Sequence, residues 1–319
     1  MNVLANDGIS KAGEKALKEA GINLLENRIA QDYLIDFIND NKVDVLLVRS
    51  ATQVRQDLID ACPSLKIIGR GGVGMDNIDV EYARNKGLYV INTPNASSRS
   101  VAELVFAHFF SLARFLHESN RMMPLEGESQ FNALKKSYSN AIELSGKTLG
   151  VIGFGGIGKE VIKIGISLGM KVKVFTRNPK TETLSLEFFD GQKVDFSISS
   201  TQNMDEFLSD LDFLSINVPK TQGYLIDTPQ FEKMKDGIFI VNTARGGTIN
   251  EVALIDAIED GKVAGAALDV FENEPNPELT LLMNPALSLS PHVGGNTLDA
   301  QEKIGTELAQ QIIDLQTKF

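Results

Sequence analysis

The run GFGGIG, which starts at Gly153, constrains the fold more than any other stretch, because it follows a predicted strand and opens a predicted helix. In that context Gly153 allows a tight turn, and Gly155 lets a phosphate approach the backbone. Gly158 lets the helix pack closely on the strand, and Gly156 and Ile157 are expected to bind the cofactor with the three glycines. The first amides of the helix then face the phosphates. The run therefore predicts a dinucleotide-binding βαβ unit in the middle of the chain.

Short β-rich runs alternate with helical patterns along the whole chain. The predicted strands cover residues 43–48, 66–69, 88–92, 148–153, 171–176, 212–218, 237–242, 263–270 and 286–290. Continuous apolar strands separated by helices are typical of parallel sheets that are covered on both faces. The fold class predicted from this pattern is α/β, with Rossmann-like or flavodoxin-like sheets.

Two domains are expected, because βα units already precede the GFGGIG turn. The dinucleotide-binding domain is predicted to cover residues 95–289. A substrate-binding domain is predicted from residues 1–94 plus 290–319, with the final helix, roughly residues 297–316, packing back on it. Ligand crevices in open parallel sheets lie at the carboxyl ends of the strands. Polar residues at or just past those ends predict one cleft between the domains: Arg49, Arg70, Asn92, Thr176, Arg245, Asp269 and His292.

Charge and cysteine content exclude several classes of protein. The net charge of −11 argues against nucleic-acid and membrane surfaces, which need basic patches. The single cysteine, Cys62, cannot form an internal disulfide and is expected to be a packed small hydrophobe, which fits a reducing cytoplasm. No signal peptide is visible, and the longest apolar stretch, AELVFAHFFSLARFL, is too short to span a bilayer. A cytoplasmic location is expected.

The chain has three histidines, which narrows the search for a general acid or base. A helix is predicted from Ser100 to His117, with His108 on its apolar face as a packed residue and His117 near its C-terminus. His292 follows a strand and lies between Pro291 and two glycines. Histidine is the side chain best suited to proton transfer near neutral pH, so His292 is the candidate.

Thr176 ends the second strand of the βαβ unit, where an Asp or Glu would bind the ribose 2′-hydroxyl and select NAD. Thr176 removes the charge repulsion that would exclude a 2′-phosphate, and Arg177 could pair with that phosphate. Arg177 could instead be a solvated surface charge. The two residues favour NADP and leave NAD open.

Seven stretches between about residue 43 and residue 297 carry a further signal: VRSATQV, GRGGVGMDNIDV, NTPNASSRSVAELV, ELSGKTLGVIGFGGIG, VNTARGGTINEVALIDAI, GAALDVFENEP and SPHVGGNT. In their sequence and their order they resemble the D-isomer-specific 2-hydroxyacid dehydrogenases. The resemblance is strongest to the phosphoglycerate dehydrogenase branch, in a short form without the C-terminal regulatory domain. It implies hydride transfer between NAD or NADP and C2 of a D-2-hydroxy acid.

The resemblance also implies roles for individual residues. Arg245 would hold the substrate carboxylate, His292 would exchange the proton, and Glu274 would orient the imidazole. The cofactor pocket would include Val218, Pro219, Thr243, Ala244, Asp269, Gly294 and Gly295. The substrate would contact Arg49, Ser50, Arg70, Val73 and Gly74, with Arg49 and Arg70 as phosphate ligands unless they are ordinary solvated or interdomain arginines. No metal site is expected.

Oxidation of 3-phospho-D-glycerate to 3-phosphohydroxypyruvate, in serine biosynthesis, is the activity expected from this resemblance. One alternative is a hydroxypyruvate or glyoxylate reductase, and another is a nucleotide-sensing binding protein of the same family that does not catalyse. The expected partners are a small anionic hydroxy or keto acid and a second copy of the chain. The homodimer would form through the cofactor domains, with the 100–117 helix and its following loop.

Overall fold

The computed structural model describes all residues from 1 to 319, which form two compact units. One unit comprises Met1–Ser100 and Gly295–Phe319, and the other comprises Val101–Gly294. The strands are β1 (Asn2–Ala5), β2 (Asn23–Leu25), β3 (Val45–Val48), β4 (Ile67–Arg70), β5 (Tyr89–Asn92), β6 (Thr148–Ile152), β7 (Lys171–Phe175), β8 (Thr181–Glu187), β9 (Lys193–Thr201), β10 (Phe213–Ile216), β11 (Ile238–Asn242), β12 (Val263–Leu268) and β13 (Leu287–Leu289). The helices are α1 (Lys11–Glu19), α2 (Gln31–Asp40), α3 (Gln56–Ala61), α4 (Val80–Asn85), α5 (Ser98–Ala113), α6 (Leu116–Ser137), α7 (Gly156–Ser167), α8 (Met204–Leu208), α9 (Thr228–Lys233), α10 (Glu251–Glu259), α11 (Leu279–Leu282) and α12 (Leu298–Gln316).

The first unit is a five-stranded parallel sheet in the order β2-β1-β3-β4-β5, covered by helices on both faces. Successive residues of β1 alternate between the two faces, so Leu4 joins one apolar cluster while Val3 and Ala5 join the other. The second cluster also contains Ala309 and Ile312 of α12, which packs against α1. The last helix of the chain is thus part of this unit.

The second unit is an eight-stranded sheet in the order β13-β12-β11-β10-β6-β7-β9-β8. All neighbouring strands are parallel except β8, which runs antiparallel to β9. Helices α5 and α7 cover one face, and α8, α9 and α10 cover the other. This architecture brings the ends of β6, β7, β10, β11 and β12 to one edge of the sheet, where the candidate residues of this unit lie.

The α/β class with parallel sheets is confirmed, and all nine predicted strands are present. Four strands were not predicted. β1 and β2 are short and lie near the N-terminus, and β8 and β9 form a hairpin that turns at Asp190 and Gly191. The division expected at residues 94/95 and 289/290 lies a few residues from the limits of the two units, and its assignment to substrate and cofactor stays a prediction.

The helix predicted over residues 100–117 differs from the structure at both ends. Helix α5 begins at Ser98, because the turn that closes from the Ser98 amide to Asn95 leads directly into it. It ends at Ala113, since Phe115 takes a left-handed conformation with φ of 51° before α6 begins. His117 consequently lies in the first turn of α6 rather than in the last turn of α5. None of the helices has the length and apolar character needed to cross a membrane.

Candidate active site

His292 and Glu274 lie side by side in the loops that follow β13 and β12. The Nδ1 atom of His292 is 2.9 Å from Oε2 of Glu274, and the other oxygen, Oε1, accepts the Phe271 amide at 3.0 Å. Both carboxylate oxygens of Glu274 are therefore engaged. Because Nδ1 faces a carboxylate, it carries the proton, which leaves Nε2 for another partner.

The pair shifts the pKa of each member in the direction that favours charge. The hydrogen bond that His292 donates to Glu274 raises the pKa of His292 above its ordinary value, against the lowering effect of burial. Burial alone would raise the pKa of Glu274, but the hydrogen bonds from His292 and the Phe271 amide lower it below its ordinary value. A histidine of this kind keeps its proton at higher pH than a free imidazole does.

Arg245 lies in the turn after β11, and its charge acts on both members of the pair. The charge of Arg245 lowers the pKa of Glu274 further, and it opposes the rise in the pKa of His292. Its Nη1 atom donates to the carbonyl of Ala244 at 2.7 Å. The three residues implied as catalytic thus belong to one unit and form one electrostatic group.

A cavity of about 430 Å³ opens beside the His292–Glu274 pair. His292 and Glu274 lie on its wall, and the rest of the lining is largely apolar, with Phe271, Leu282 and Leu289 among its members. An apolar wall around a few polar groups is typical of small-molecule sites.

Asp269, which directly follows β12, holds the loop that carries His292. Its Oδ1 atom accepts the Ser290 hydroxyl at 2.6 Å and the Val293 amide at 2.8 Å, and Oδ2 accepts the Gly294 amide at 2.8 Å. The side chain is buried, with 1% of its surface exposed. A carboxylate has about four acceptor positions, of which these donors fill three.

Glu251 and Glu272 also belong to this region, although the sequence analysis did not single them out. Each carboxylate accepts the other residue's backbone amide, at 3.0 Å for the Glu251 amide and 2.7 Å for the Glu272 amide. The Tyr224 hydroxyl donates to the second oxygen of Glu272 at 3.1 Å. These bonds tie the start of α10 to the loop of Glu274. Glu251 is buried in the first turn of α10, which only the structure reveals.

The GFGGIG turn has the geometry that its glycines predicted. Gly153 has a φ of 102°, and a Cβ at Gly158 would lie 2.1 Å from the Gly153 carbonyl oxygen. At Gly155, in contrast, a Cβ would meet nothing within 4 Å, so the space over the start of α7 is open. Gly156 and Ile157 are the first residues of α7, and no side chain caps its free amides.

Two buried oxygens at the carboxyl edge of this sheet lack a hydrogen-bond partner in the protein. Oδ1 of Asn217 follows β10, and Oγ1 of Thr243 follows β11. Unsatisfied buried oxygens at the carboxyl edge of a sheet fit a bound group that carries donors. Val218, within 3.1 Å of a Cβ at Gly153, and buried Ala244 belong to the same edge. The residues present fit a nicotinamide dinucleotide. Pro219 is exposed at the rim.

Thr176 is tied to the β8–β9 hairpin. Its hydroxyl lies 2.8 Å from the Ser200 hydroxyl and donates to the Asn178 carbonyl at 2.9 Å, while Arg177 beside it is exposed. Lys180 pairs with Glu182 at 2.5 Å on the first strand of the hairpin.

The predicted substrate arginines belong to the first unit. Arg49 is half-buried, its Nη2 atom donates to Gln301, and its amide donates to Asp7 at 2.6 Å. Burial lowers the pKa of Arg49. Nη1 of Arg70 donates to the Gly71 carbonyl at 2.6 Å. A cavity of about 160 Å³ has Arg49, Gly71 and Gln301 on its wall.

The remaining predicted substrate contacts follow β3 and β4. Ser50 is exposed directly after Arg49, and Val73 is exposed in the loop after β4, followed by partly exposed Gly74. The Val73 carbonyl accepts from the Asn92 side chain at 2.9 Å, which fixes this loop against β5. Gly295, expected beside the cofactor with Gly294, lies in the first unit, where its carbonyl accepts from Gln301 at 2.9 Å.

A Rossmann-type sheet with an open glycine turn, next to a histidine–carboxylate pair and an arginine, defines a nicotinamide-dependent dehydrogenase class. Comparisons with known proteins agree. The model of the D-isomer specific 2-hydroxyacid dehydrogenase NAD-binding domain matches residues 106–294. The chain belongs to this family.

Similar proteins carry several names. The hydroxypyruvate reductase of Thermotoga maritima is 40% identical over 316 residues, which cover 97% of this chain and 96% of that protein. The D-3-phosphoglycerate dehydrogenase of Methanocaldococcus jannaschii is 38% identical over 98% of this chain, which spans 57% of that protein. The crystal structure of a glyoxylate reductase from Paecilomyes thermophila superposes with a TM-score of 0.81 at 29% identity, covering 98% of this chain and 94% of that one.

Proposed function

We propose that this protein reduces hydroxypyruvate, or a similarly short 2-keto acid such as glyoxylate, to the D-2-hydroxy acid with a nicotinamide cofactor. The observation that carries the proposal is the His292–Glu274 pair at 2.9 Å, with the charge of Arg245 acting on both. Reduction of a keto acid needs a proton donor for the carbonyl oxygen and a cation for the carboxylate. These three residues supply both.

In the proposed reaction His292 donates the proton on Nε2 to the carbonyl oxygen of the substrate. Glu274 keeps the ring oriented and stabilises its protonated form through Nδ1. Arg245 would hold the substrate carboxylate with its planar guanidinium. A bound nicotinamide supplies the hydride that reduces C2. The same residues would serve the reverse oxidation, with His292 as the base.

Two observations favour a substrate without a phosphate. The guanidinium groups of Arg49 and Arg70 both already donate within the first unit, to Gln301 and to Gly71. The hydroxypyruvate reductase of Thermotoga maritima is also slightly more similar to this chain, at 40% identity, than the D-3-phosphoglycerate dehydrogenase of Methanocaldococcus jannaschii, at 38%.

Oxidation of 3-phospho-D-glycerate, as in serine biosynthesis, remains the second candidate. It is favoured by the cavity of about 160 Å³ that has the Arg49 side chain on its wall, together with Ser10. A half-buried guanidinium at a cavity is suited to hold a phosphate if Gln301 gives up its hydrogen bond.

NADPH is the proposed cofactor, because Thr176 offers no carboxylate to the ribose and Arg177 is an exposed cation beside it. The preference can be tested on Arg177→Ala, with Lys193→Ala at the far end of the β8–β9 hairpin as the matched control. The KM for NADPH should rise about tenfold in Arg177→Ala and the KM for NADH should not change. An equal rise in the KM values for NADPH and NADH would show that Arg177 does not bind the 2′-phosphate.

The deciding experiment compares kcat/KM for hydroxypyruvate, glyoxylate and phosphohydroxypyruvate, each with NADH and NADPH. Higher values for hydroxypyruvate support the main proposal. A higher value for phosphohydroxypyruvate, with a KM that rises in Arg49→Ala or Arg70→Ala much more than the KM for glyoxylate does, would support the second candidate. No turnover of any substrate with either cofactor would contradict an enzymatic role and favour nucleotide sensing without catalysis.

A homodimer through the second unit is also proposed. Large apolar side chains are exposed on α5 and α6, among them Phe110, Leu125 and Phe131, with 77% of the Leu125 side chain accessible. Exposed apolar surface of this kind favours association. Light scattering should give twice the mass of one chain. A monomer at micromolar concentration would refute the dimer without affecting the catalytic proposal.

A further inference from the structure

A buried network of hydrogen-bonded polar side chains contacts the loop of His292. The reaction proposed above assigns no role to this network. His108 on α5 has its Nε2 atom 3.0 Å from the Ser290 hydroxyl and its Nδ1 atom 3.0 Å from the Ser288 hydroxyl. Ser290 in turn donates to Asp269 at 2.6 Å. His108 and Asp269 are buried on elements that are far apart in the chain.

The direction of each hydrogen bond follows from the number of protons available. Both oxygens of Asp269 accept backbone amides, so the carboxylate acts as an acceptor. Ser290 has one hydroxyl proton, which it donates to Asp269. Its bond to His108 therefore needs a proton on Nε2 of the histidine. Nδ1 of His108 then accepts from Ser288. Burial lowers the pKa of His108, in accord with this neutral form.

These hydrogen bonds lead to the loop of His292, whose backbone conformation is unusual. His292 has a φ of 53°, a left-handed conformation that few residues other than glycine adopt. The residues on either side are held, because Ser290 binds Asp269 through its side chain while Val293 and Gly294 bind it through their amides. A strained conformation persists where its surroundings determine it, and Asp269 is the group that does so here.

We propose that His108 and Ser290 are positioning residues, which hold Asp269 and thereby fix the conformation and the charge environment of His292. The inference rests on the proposed function only for its kinetic consequence. The charged groups that act on His292 are Glu274, Asp269 and Arg245. Ser290 donates to one of them, so its loss leaves more of the Asp269 charge uncompensated at the imidazole.

The test uses the full-length protein with nitrogen-15-labelled histidine, since three histidines give three resolvable imidazoles. His108 should be neutral near pH 7, with its proton on Nε2. Ser290→Ala should raise the pKa of His292, because the Asp269 charge loses its donor. Ser288→Ala is the matched control, because it removes the other hydroxyl on His108 and leaves Asp269 untouched. Its His292 titration should stay that of the wild type.

Kinetics provide the second measurement. Ser290→Ala should lower kcat for hydroxypyruvate about tenfold and shift its pH profile upward, with the KM for the cofactor unchanged. Ser290→Thr, which keeps the hydroxyl, should restore the profile, and melting temperatures report any loss of folding.

A proton on Nδ1 of His108, equal effects of Ser288→Ala and Ser290→Ala, or a raised cofactor KM with an unchanged pH profile would each overturn the proposal. Inactive wild-type protein would contradict the proposed function, while the histidine titrations would still decide on the network.

Discussion

Gly246 allows the turn of Arg245 to lie against the loop of Glu274, and its replacement by alanine should separate the two. A Cβ at Gly246 would lie 1.7 Å from the carbonyl oxygen of Phe271 and 2.9 Å from the amide of Glu272. Contacts of a Cβ below 3.0 Å are essentially never found, so one backbone segment must move by more than about 1 Å. Neither segment can yield by a rotamer change alone.

The expected result of Gly246→Ala is a fall in kcat of about a hundredfold, because a misplacement of about 1 Å is enough to cost that much. Stability should fall by about 1–3 kcal/mol, as for other overpacked sites. Gly247→Ala is the matched control. Gly247 has a φ of 76°, so alanine costs about 1 kcal/mol there, but its Cβ would meet nothing within 4 Å.

Both variants are to be compared by kcat for hydroxypyruvate and by urea unfolding. Gly247→Ala should keep kcat within about threefold of the wild type, which separates lost stability from lost geometry. If Gly246→Ala also kept kcat within that range while remaining folded, the close packing of the two loops would have no part in positioning Arg245 against Glu274.

Three further predictions concern single side chains. His292→Gln should lower kcat by about 10²–10⁴-fold while leaving the dissociation constant of the cofactor, measured by fluorescence, nearly unchanged; unchanged turnover would remove His292 from the mechanism. Reduction needs protonated His292, so its rate should fall as pH rises through the raised pKa of His292, and Glu274→Gln should move that fall to lower pH in a pH–rate profile. Burial raises the pKa of Cys62 to about 11, so a thiol reagent at neutral pH should modify it only after unfolding, and rapid labelling of the native protein would contradict the burial.

The parts of the fold that sequence could predict are those encoded locally. The buried parallel strands are continuous apolar runs, and the polar residues that end them, among them Asp269 and His292, lie where the sheet rule expects. The β8–β9 hairpin carries the period-two alternation of a strand with one exposed face, around Asp190 and Gly191, but it interrupts a βα pattern. An analysis built on continuous apolar runs therefore passes over it.

Long-range hydrogen bonds are the part that sequence could not supply. His108 was correctly expected to be packed, yet its partner Ser288 lies 180 residues away, and nothing local marks which hydroxyl faces which helix. The Glu251–Glu272 exchange involves backbone amides, which every residue has, so no side-chain pattern reveals it. Left-handed His292 depends on the same kind of distant contact, through Asp269.

Thr176 stands where a cofactor-selecting acid is expected, and the β8–β9 hairpin that follows it contributes further charges. Lys159 and Lys180 both pair with Glu182, whose single negative charge compensates only part of theirs. Loss of a carboxylate at residue 176 removes a barrier to a 2′-phosphate but adds no attraction. In the role that we propose for it, Arg177 supplies this attraction, but it is exposed, so its pairing with a phosphate is weakened by water and salt. A preference for NADPH resting on one solvated guanidinium should be moderate and should decline with ionic strength, whereas exclusion of NADH has no group in this structure to enforce it.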